Sequence, residues 1–297
     1  MNRRDFIGKS MAVAACGSFA GINVKAFETI KRGGFRIGIQ LYSINKSLPT
    51  DVRGSLRKIA DMGYEHVEAY GFNGSFFLDR TLKEWKLMLD ELGMTLSGTH
   101  CGTPMLPTDV SSSEWDYWRK SAEEMRTAGG KYLVQSFLPA RESLDEVKRV
   151  AEQFNKTGEI CRLGGVRFGY HNHHAELKEV EGQVILDVLL QNTDPELVFF
   201  QMDMGHVVNG GGNILDYMRK YPKRFLSWHA SDFKKGEGYV ELGQGDVPYD
   251  ELLQLAGEYG LMDLTVEQET GGDIYAACKR NFEFLKKFAW TKTGNKA

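Results

Sequence analysis

The chain has few cysteines, no excess of basic residues and no low-complexity tract, and each shortage closes off a class of protein. Its four cysteines show no CxxC pair, so neither a disulfide framework nor a cysteine zinc site is signalled. Cys101, Cys161 and Cys278 are expected as buried thiols. Against 37 lysines and arginines stand 40 aspartates and glutamates, a formal charge of −3. A broad positive field that could hold a phosphate backbone is missing, which excludes nucleic acid as the main partner and leaves a small molecule. Past the first thirty residues there is no apolar run of about 18 residues, the length that spans a bilayer. What is present is material for a core: 297 residues, 42% hydrophobic and 26% charged, enough for one large domain or two small ones.

Residues 1–30 read as an export signal and not as structure. Arg3 and Arg4, followed by Phe6 and Lys9, resemble the twin-arginine type used by proteins that fold before crossing. Val13-Ala14-Ala15-Cys16 resembles a lipoprotein cleavage box, in which Cys16 takes lipid and becomes the only membrane contact. The plain alternative is a frayed helix with an ordinary thiol. The expected location is periplasmic or lipid-anchored. The tail, 291–297, is expected to be disordered.

From residue 35 to 290 one unit recurs: an amphipathic helix, a glycine or turn, a short strand, then polar residues. Gly63, Gly93, Gly129, Gly164 and Gly260 stand at helix ends, where glycine supplies the left-handed conformation cheaply. Two more strands follow Pro195 and Pro222, and with FRIGIQLYS the count is eight. Strands alternating with helices imply parallel pairing through right-handed crossovers. The expected fold is α/β, a single (β/α)8 TIM barrel. An open doubly wound sheet would want a glycine-rich phosphate loop after the first strand, and GIQLYSINKSLP has none.

A barrel places its chemistry at the C-terminal strand ends. Read in order, those ends offer Gln40 and Tyr42, Glu68 and Tyr70, His100, Gln135, His171 and His173, Asp203 with His206, His229, and Glu267 with Glu269. Six of the seven histidines lie at or just past such ends. Because side chains alternate along a strand, His171 and His173 share a face, as do Glu267 and Glu269. Each residue alone is more simply a hydrogen-bonded histidine or a solvated carboxylate. Four successive strand ends with imidazole or carboxylate point to a divalent ion such as manganese, zinc, cobalt or iron.

These motifs resemble the sugar phosphate isomerase/epimerase family, the xylose isomerase-like barrels. The resemblance implies one divalent metal ion held by Glu, Asp, His and Glu from strands five to eight. Asp203 in DMGH, His229 in HASD and Glu267 in TVEQE match the last three. His206 is similar to the family's substrate-touching histidine, and ELGQGDVPYDELL resembles its Gly-x-Gly loop. The first ligand departs from the pattern: GYHNHHAE places His171 where the family has glutamate. Either His171 replaces it, or His173 or Glu176 reaches the ion and leaves His171 as an acid or base.

The activity implied is proton abstraction next to the carbonyl of a sugar or keto-sugar through a metal-stabilised enediolate, with Glu267, His171 and His206 as catalytic groups. Isomerase or epimerase is the leading reading; a lyase or hydratase on a keto-glycoside or inosose-like substrate is the second. A non-catalytic exported sugar-binding barrel is the third. Tyr42, Glu68, His100, Gln135, His206 and Glu269 are expected to bind substrate. Trp115, Tyr117 and Trp118 are set between a homo-oligomer contact and packing on neighbouring helices.

Overall fold

The computed structural model describes residues 35–102, 112–269 and 272–288. The leader with Cys16 and the tail lie outside them. Eight strands form a closed parallel barrel: β1 (Ile37–Gln40), β2 (His66–Phe72), β3 (Thr95–Cys101), β4 (Tyr132–Gln135), β5 (Arg167–His171), β6 (Val198–Asp203), β7 (Phe225–Ala230) and β8 (Asp263–Val266). Neighbours follow chain order, and β8 closes on β1 with Ile39 beside Val266. The expected (β/α)8 barrel is the fold observed.

The strands are buried on both faces, as parallel strands beneath helices must be; all six residues of β6 are buried. Helices α1 (Val52–Met62), α2 (Leu82–Asp90), α3 (Ser112–Thr127), α4 (Leu144–Leu163), α5 (Ile185–Asn192), α6 (Met204–Asn209), α7 (Ile214–Lys220), α8 (Tyr249–Leu255) and α9 (Ile274–Lys286) complete the order. Their starts are written in the sequence. The side chains of Asp51, Thr81 and Ser143 accept from backbone N–H groups at the first turns of α1, α2 and α4. Of the five glycines expected to turn left-handed, four do so; Gly164 keeps φ −74°, and its neighbour Gly165 takes φ +83° instead. In CRLGG two adjacent glycines compete for one position, and the second wins it.

Alternation sorts the strand residues into two layers. Phe168, Tyr170, Phe200 and Trp228 join the large core between strands and helices. Tyr132, Val134 and Phe199 form a separate cluster, which fills the barrel's interior below the site. Two glycines make that filling fit: a Cβ on Gly98 would lie 2.2 Å from the Tyr132 ring, and one on Gly169 would lie 2.4 Å from Phe199. Lower still, Lys131 and His66 lie 2.9 and 3.9 Å from Asp263. Of the three aromatic residues on α3, Trp118 is fully buried and meets Phe168 edge-on, while Tyr117 donates to the Phe72 carbonyl.

After β7 the chain makes a hairpin (Asp232–Lys234 with Gly238–Val240) and then the Gly-x-Gly stretch. Asp232 holds this stretch down. Its Oδ2 accepts from the N–H groups of Gly243 at 2.8 Å and Gly245 at 3.0 Å, and its Oδ1 accepts from Val247 at 3.2 Å. A side chain at position 245 would strike the carboxylate, 2.2 Å from the ideal Cβ. Charge-assisted bonds of this kind contribute about 1.5–3 kcal/mol each before relaxation. Asp232→Ala is therefore expected to lower stability by roughly 2–4 kcal/mol. A lower urea midpoint at unchanged slope would register the loss; an unchanged midpoint would show that the loop holds itself.

Candidate active site

Four strand ends deliver four ligand-type side chains to one place. His171 ends β5, Asp203 ends β6, His229 lies in β7 and Glu267 directly follows β8. One donor atom from each lies within 4.8 Å of every other, and all four residues are buried. The backbone is braced to hold them. Asn172, next to His171, accepts from the Asp203 N–H at 3.2 Å and donates to its carbonyl at 3.4 Å, so the ends of β5 and β6 are tied together. Asp203 also caps α6, its Oδ1 accepting from the His206 N–H at 2.7 Å and from the Ser231 hydroxyl at 2.6 Å.

Two atoms in this group have no partner. Asp203 Oδ2 and His171 Nδ1 are buried and make no hydrogen bond. An unpaired buried polar atom costs about 1–3 kcal/mol, more when charged. Both orphans belong to the one quartet, whose two imidazoles and two carboxylates suit a divalent ion of the manganese-to-zinc series. The residues present thus fit a cation.

His229 lies between two carboxylates, with Nδ1 2.7 Å from Glu267 Oε2 and Nε2 2.9 Å from Glu68 Oε1. Burial opposes a charge on this ring, but Glu68 and Glu267 outweigh it and push its pKa up to about 10. Burial raises the Asp203 pKa from its ordinary value. The His171 pKa moves the other way: burial and then the neighbouring rings of His229 and His100 hold it well below the usual value. His171 is therefore a neutral lone-pair donor. Burial and His206 bring His173 down to about 3.

Above the quartet opens a cavity of about 640 Å³, lined in part by His171, His173, His206 and Glu267. Tyr42, His100 and Glu269, three of the expected substrate contacts, line it as well. His206 contacts the Tyr239 hydroxyl through Nδ1 and lies 3.6 Å from Glu269 through Nε2. Glu68 and Gln135 are placed elsewhere. Glu68 is fully buried beneath the quartet, and both its oxygens are taken by protein donors. Gln135 follows Val134, which faces the interior, so its side chain falls on the other parity and donates to the Phe137 carbonyl at 3.0 Å. Of the alternative first ligands, His173 forms a second group with His171 and His206. Glu176 joins no such group among the described residues; its Oε2 accepts from the His173 N–H at 2.6 Å.

Sequence reasoning missed Gln201, Ser231, Tyr239 and the bracing role of Asn172. Gln201 was within reach, since it shares the parity of Asp203 on β6. Tyr239 sits on the hairpin after β7, outside the strand-helix repeat, where no periodicity marks it.

The profile of the family described as "Xylose isomerase-like TIM barrel" matches residues 56–291. A curated relative, inosose dehydratase of Clostridium perfringens, is 30% identical over 106 residues, 36% of this chain and 32% of that protein. The match thus spans about a third of that relative's length. Among solved structures, a sugar phosphate isomerase/epimerase from Parabacteroides distasonis superposes with a TM-score of 0.77 at 26% identity, covering 88% of this chain and 97% of that one. The 3-keto-D-glucoside 4-epimerase of E. coli shares the fold with a TM-score of 0.65 at 16% identity, over 85% and 99% of the chains.

If the orphan atoms are ligands, a divalent ion binds the folded chain alone and raises its Tm. At a hundred times the dissociation constant the gain is about 2.7 kcal/mol. Manganese, zinc, cobalt and iron(II) should each be tried by thermal melting and by metal analysis. Asp203→Ala and His229→Ala should abolish the rise; a rise that survives both substitutions would place the ion elsewhere.

Proposed function

Because this chain belongs to the xylose isomerase-like TIM barrel family, we propose that it is a divalent-metal-dependent isomerase or epimerase acting on a sugar or keto-sugar. The observation that carries this reading is the quartet of His171, Asp203, His229 and Glu267, with its two unpartnered atoms, at the floor of a cavity walled by further imidazoles and carboxylates. Those four residues would hold the cation. When bound, it supplies Lewis acidity toward the carbonyl and neighbouring hydroxyl oxygens of a substrate.

The chain's own groups carry the proton. Glu267 opens onto the cavity and takes the proton from the carbon beside the carbonyl. His206, steadied by Tyr239 and Glu269, returns a proton from a different strand end. Tyr42 and His100 offer hydrogen bonds to hydroxyls at the rim, and the exposed ring of Phe137 offers a face for a sugar. The identity of the solved relatives as isomerase/epimerase and 4-epimerase supports the same class.

A second reading, dehydration, has its own support. The proton-handling groups are unlike one another: His171, His173 and His206 lie together on one part of the wall, while Glu267 and Glu269 come from the end of β8. An unsymmetrical acid and base suit expulsion of a hydroxyl better than exchange between two equivalent carbons. The inosose dehydratase relative supports it too. We place the substrate outside the cytoplasm, on the export-type leader, and take it to be unphosphorylated, since no glycine-rich helix start cradles phosphate in the sequence.

Incubation of the metal-loaded protein with keto-sugars in deuterated water tests the shared step. Deuterium at the carbon beside the carbonyl is expected, with a new epimer or isomer under the first reading and an unsaturated product under the second. Glu267→Gln should slow exchange by roughly 10²- to 10⁴-fold. A keto-sugar that binds but exchanges no proton would sink both readings in favour of a binding barrel.

A further inference from the structure

A residue that is not part of the quartet and does not line the cavity directs the lone pair of one proposed ligand. We infer that Glu68 is the positioning residue of the centre: it keeps a proton on His229 Nε2 and so makes Nδ1 the nitrogen that gives up its proton when the ion binds. The inference rests on the divalent centre proposed above.

His229 has two ring nitrogens and meets a carboxylate through each. Nδ1 faces Glu267, a member of the quartet, at 2.7 Å, while Nε2 faces Glu68 Oε1 at 2.9 Å. Glu68 can only accept there. Its Oε1 already receives the Gln40 amide at 2.6 Å and lies 2.8 Å from His100 Nε2, and its Oε2 receives the Gln201 amide at 2.7 Å. The Gln201 amide is held on its other side as well, its Oε1 facing His100 Nε2 at 2.7 Å and its Nε2 also donating to Ser227 at 2.9 Å. Both amides present N–H to Glu68, and a carboxylate has no hydrogen of its own to give. The His229 nitrogen it meets must carry the hydrogen.

The consequence is directional. A histidine with its proton fixed on Nε2 offers its Nδ1 lone pair on the side of Glu267, a member of the quartet. The hydrogen bond also holds the ring plane and raises the basicity of the donor nitrogen. Glu68 has no solvent-exposed surface, so water cannot replace it. The same carboxylate orients His100, whose ring stacks on His229 with centroids 5.3 Å apart. One buried group thus orders two imidazoles of the site.

The test uses the full chain and zinc as the probe. Zinc affinity is measured by competition with a chromophoric chelator for the wild type, Glu68→Gln and Ser227→Ala. Glu68→Gln should weaken binding roughly 10- to 100-fold while its thermal unfolding stays cooperative. Ser227→Ala, which disturbs the same polar cluster without touching His229, should stay within about twofold, a bound set by the small worth of a single neutral hydrogen bond. Long-range nitrogen–proton NMR of the zinc-loaded wild type should show His229 protonated on Nε2 and zinc-shifted at Nδ1; this decides the matter even if Glu68→Gln fails to fold. Equal affinity in Glu68→Gln, an equal loss in Ser227→Ala, or a proton on Nδ1 overturns the inference. A wild type that takes up no zinc, manganese, cobalt or iron(II) fails earlier, at the functional reading, and removes this inference with it.

Discussion

Charge buried away from water has to be met by its neighbours, and the upper half of this barrel is arranged around that requirement. Glu68, Asp203 and His229 are all fully buried, and Glu267 is nearly so. Glu68 is met by two amides and two imidazoles, and His229 by two carboxylates. Remove one member and the others are left uncompensated in a low dielectric, which costs far more than the net worth of any single contact. The chain satisfies nearly all of these groups internally. Within the quartet the exceptions are one oxygen of Asp203 and one nitrogen of His171.

Everything beneath and around this cluster keeps it in place. The interior below is filled by Tyr132, Val134 and Phe199, with glycines on the neighbouring strands giving the rings their room. Asn172 fastens two strand ends side by side, and Asp203 joins a strand end to the first turn of α6. Just past the end of β7, Asp232 gathers the Gly-x-Gly stretch by its backbone N–H groups. Preorganised polar groups of this kind need not be reordered when a ligand arrives.

Much of this was legible in the sequence, for reasons of periodicity. The strand-helix repeat gives the barrel, and the barrel converts scattered His, Asp and Glu residues into strand ends. Asp203, His229 and Glu267 are gathered on that ground, with His171, His173 and Glu176 left as candidates for the remaining place. Parity was harder. Gln135 ends its strand but alternation turns it outward, and Glu68 is only the third residue of β2, a depth that carries it below the cavity floor. Depth depends on the stagger of neighbouring strands; β2 against β3 shows register shifts between Val67 and Glu68 and again before Phe72, which no hydrophobic pattern announces. Tyr239 reached the site from a hairpin added to the repeat, so its contact with His206 was invisible in advance.

The filled interior has a further consequence for traffic. Rings occupy the middle of the barrel and the Lys131–Asp263 pair sits below them, so the barrel is a cup and not a tube. Whatever enters past Tyr42 and Phe137 must leave the same way. A spent molecule and a fresh one then contend for a single doorway, and departure must precede arrival. On the proposed function, product still in the cup and incoming substrate compete for the same space.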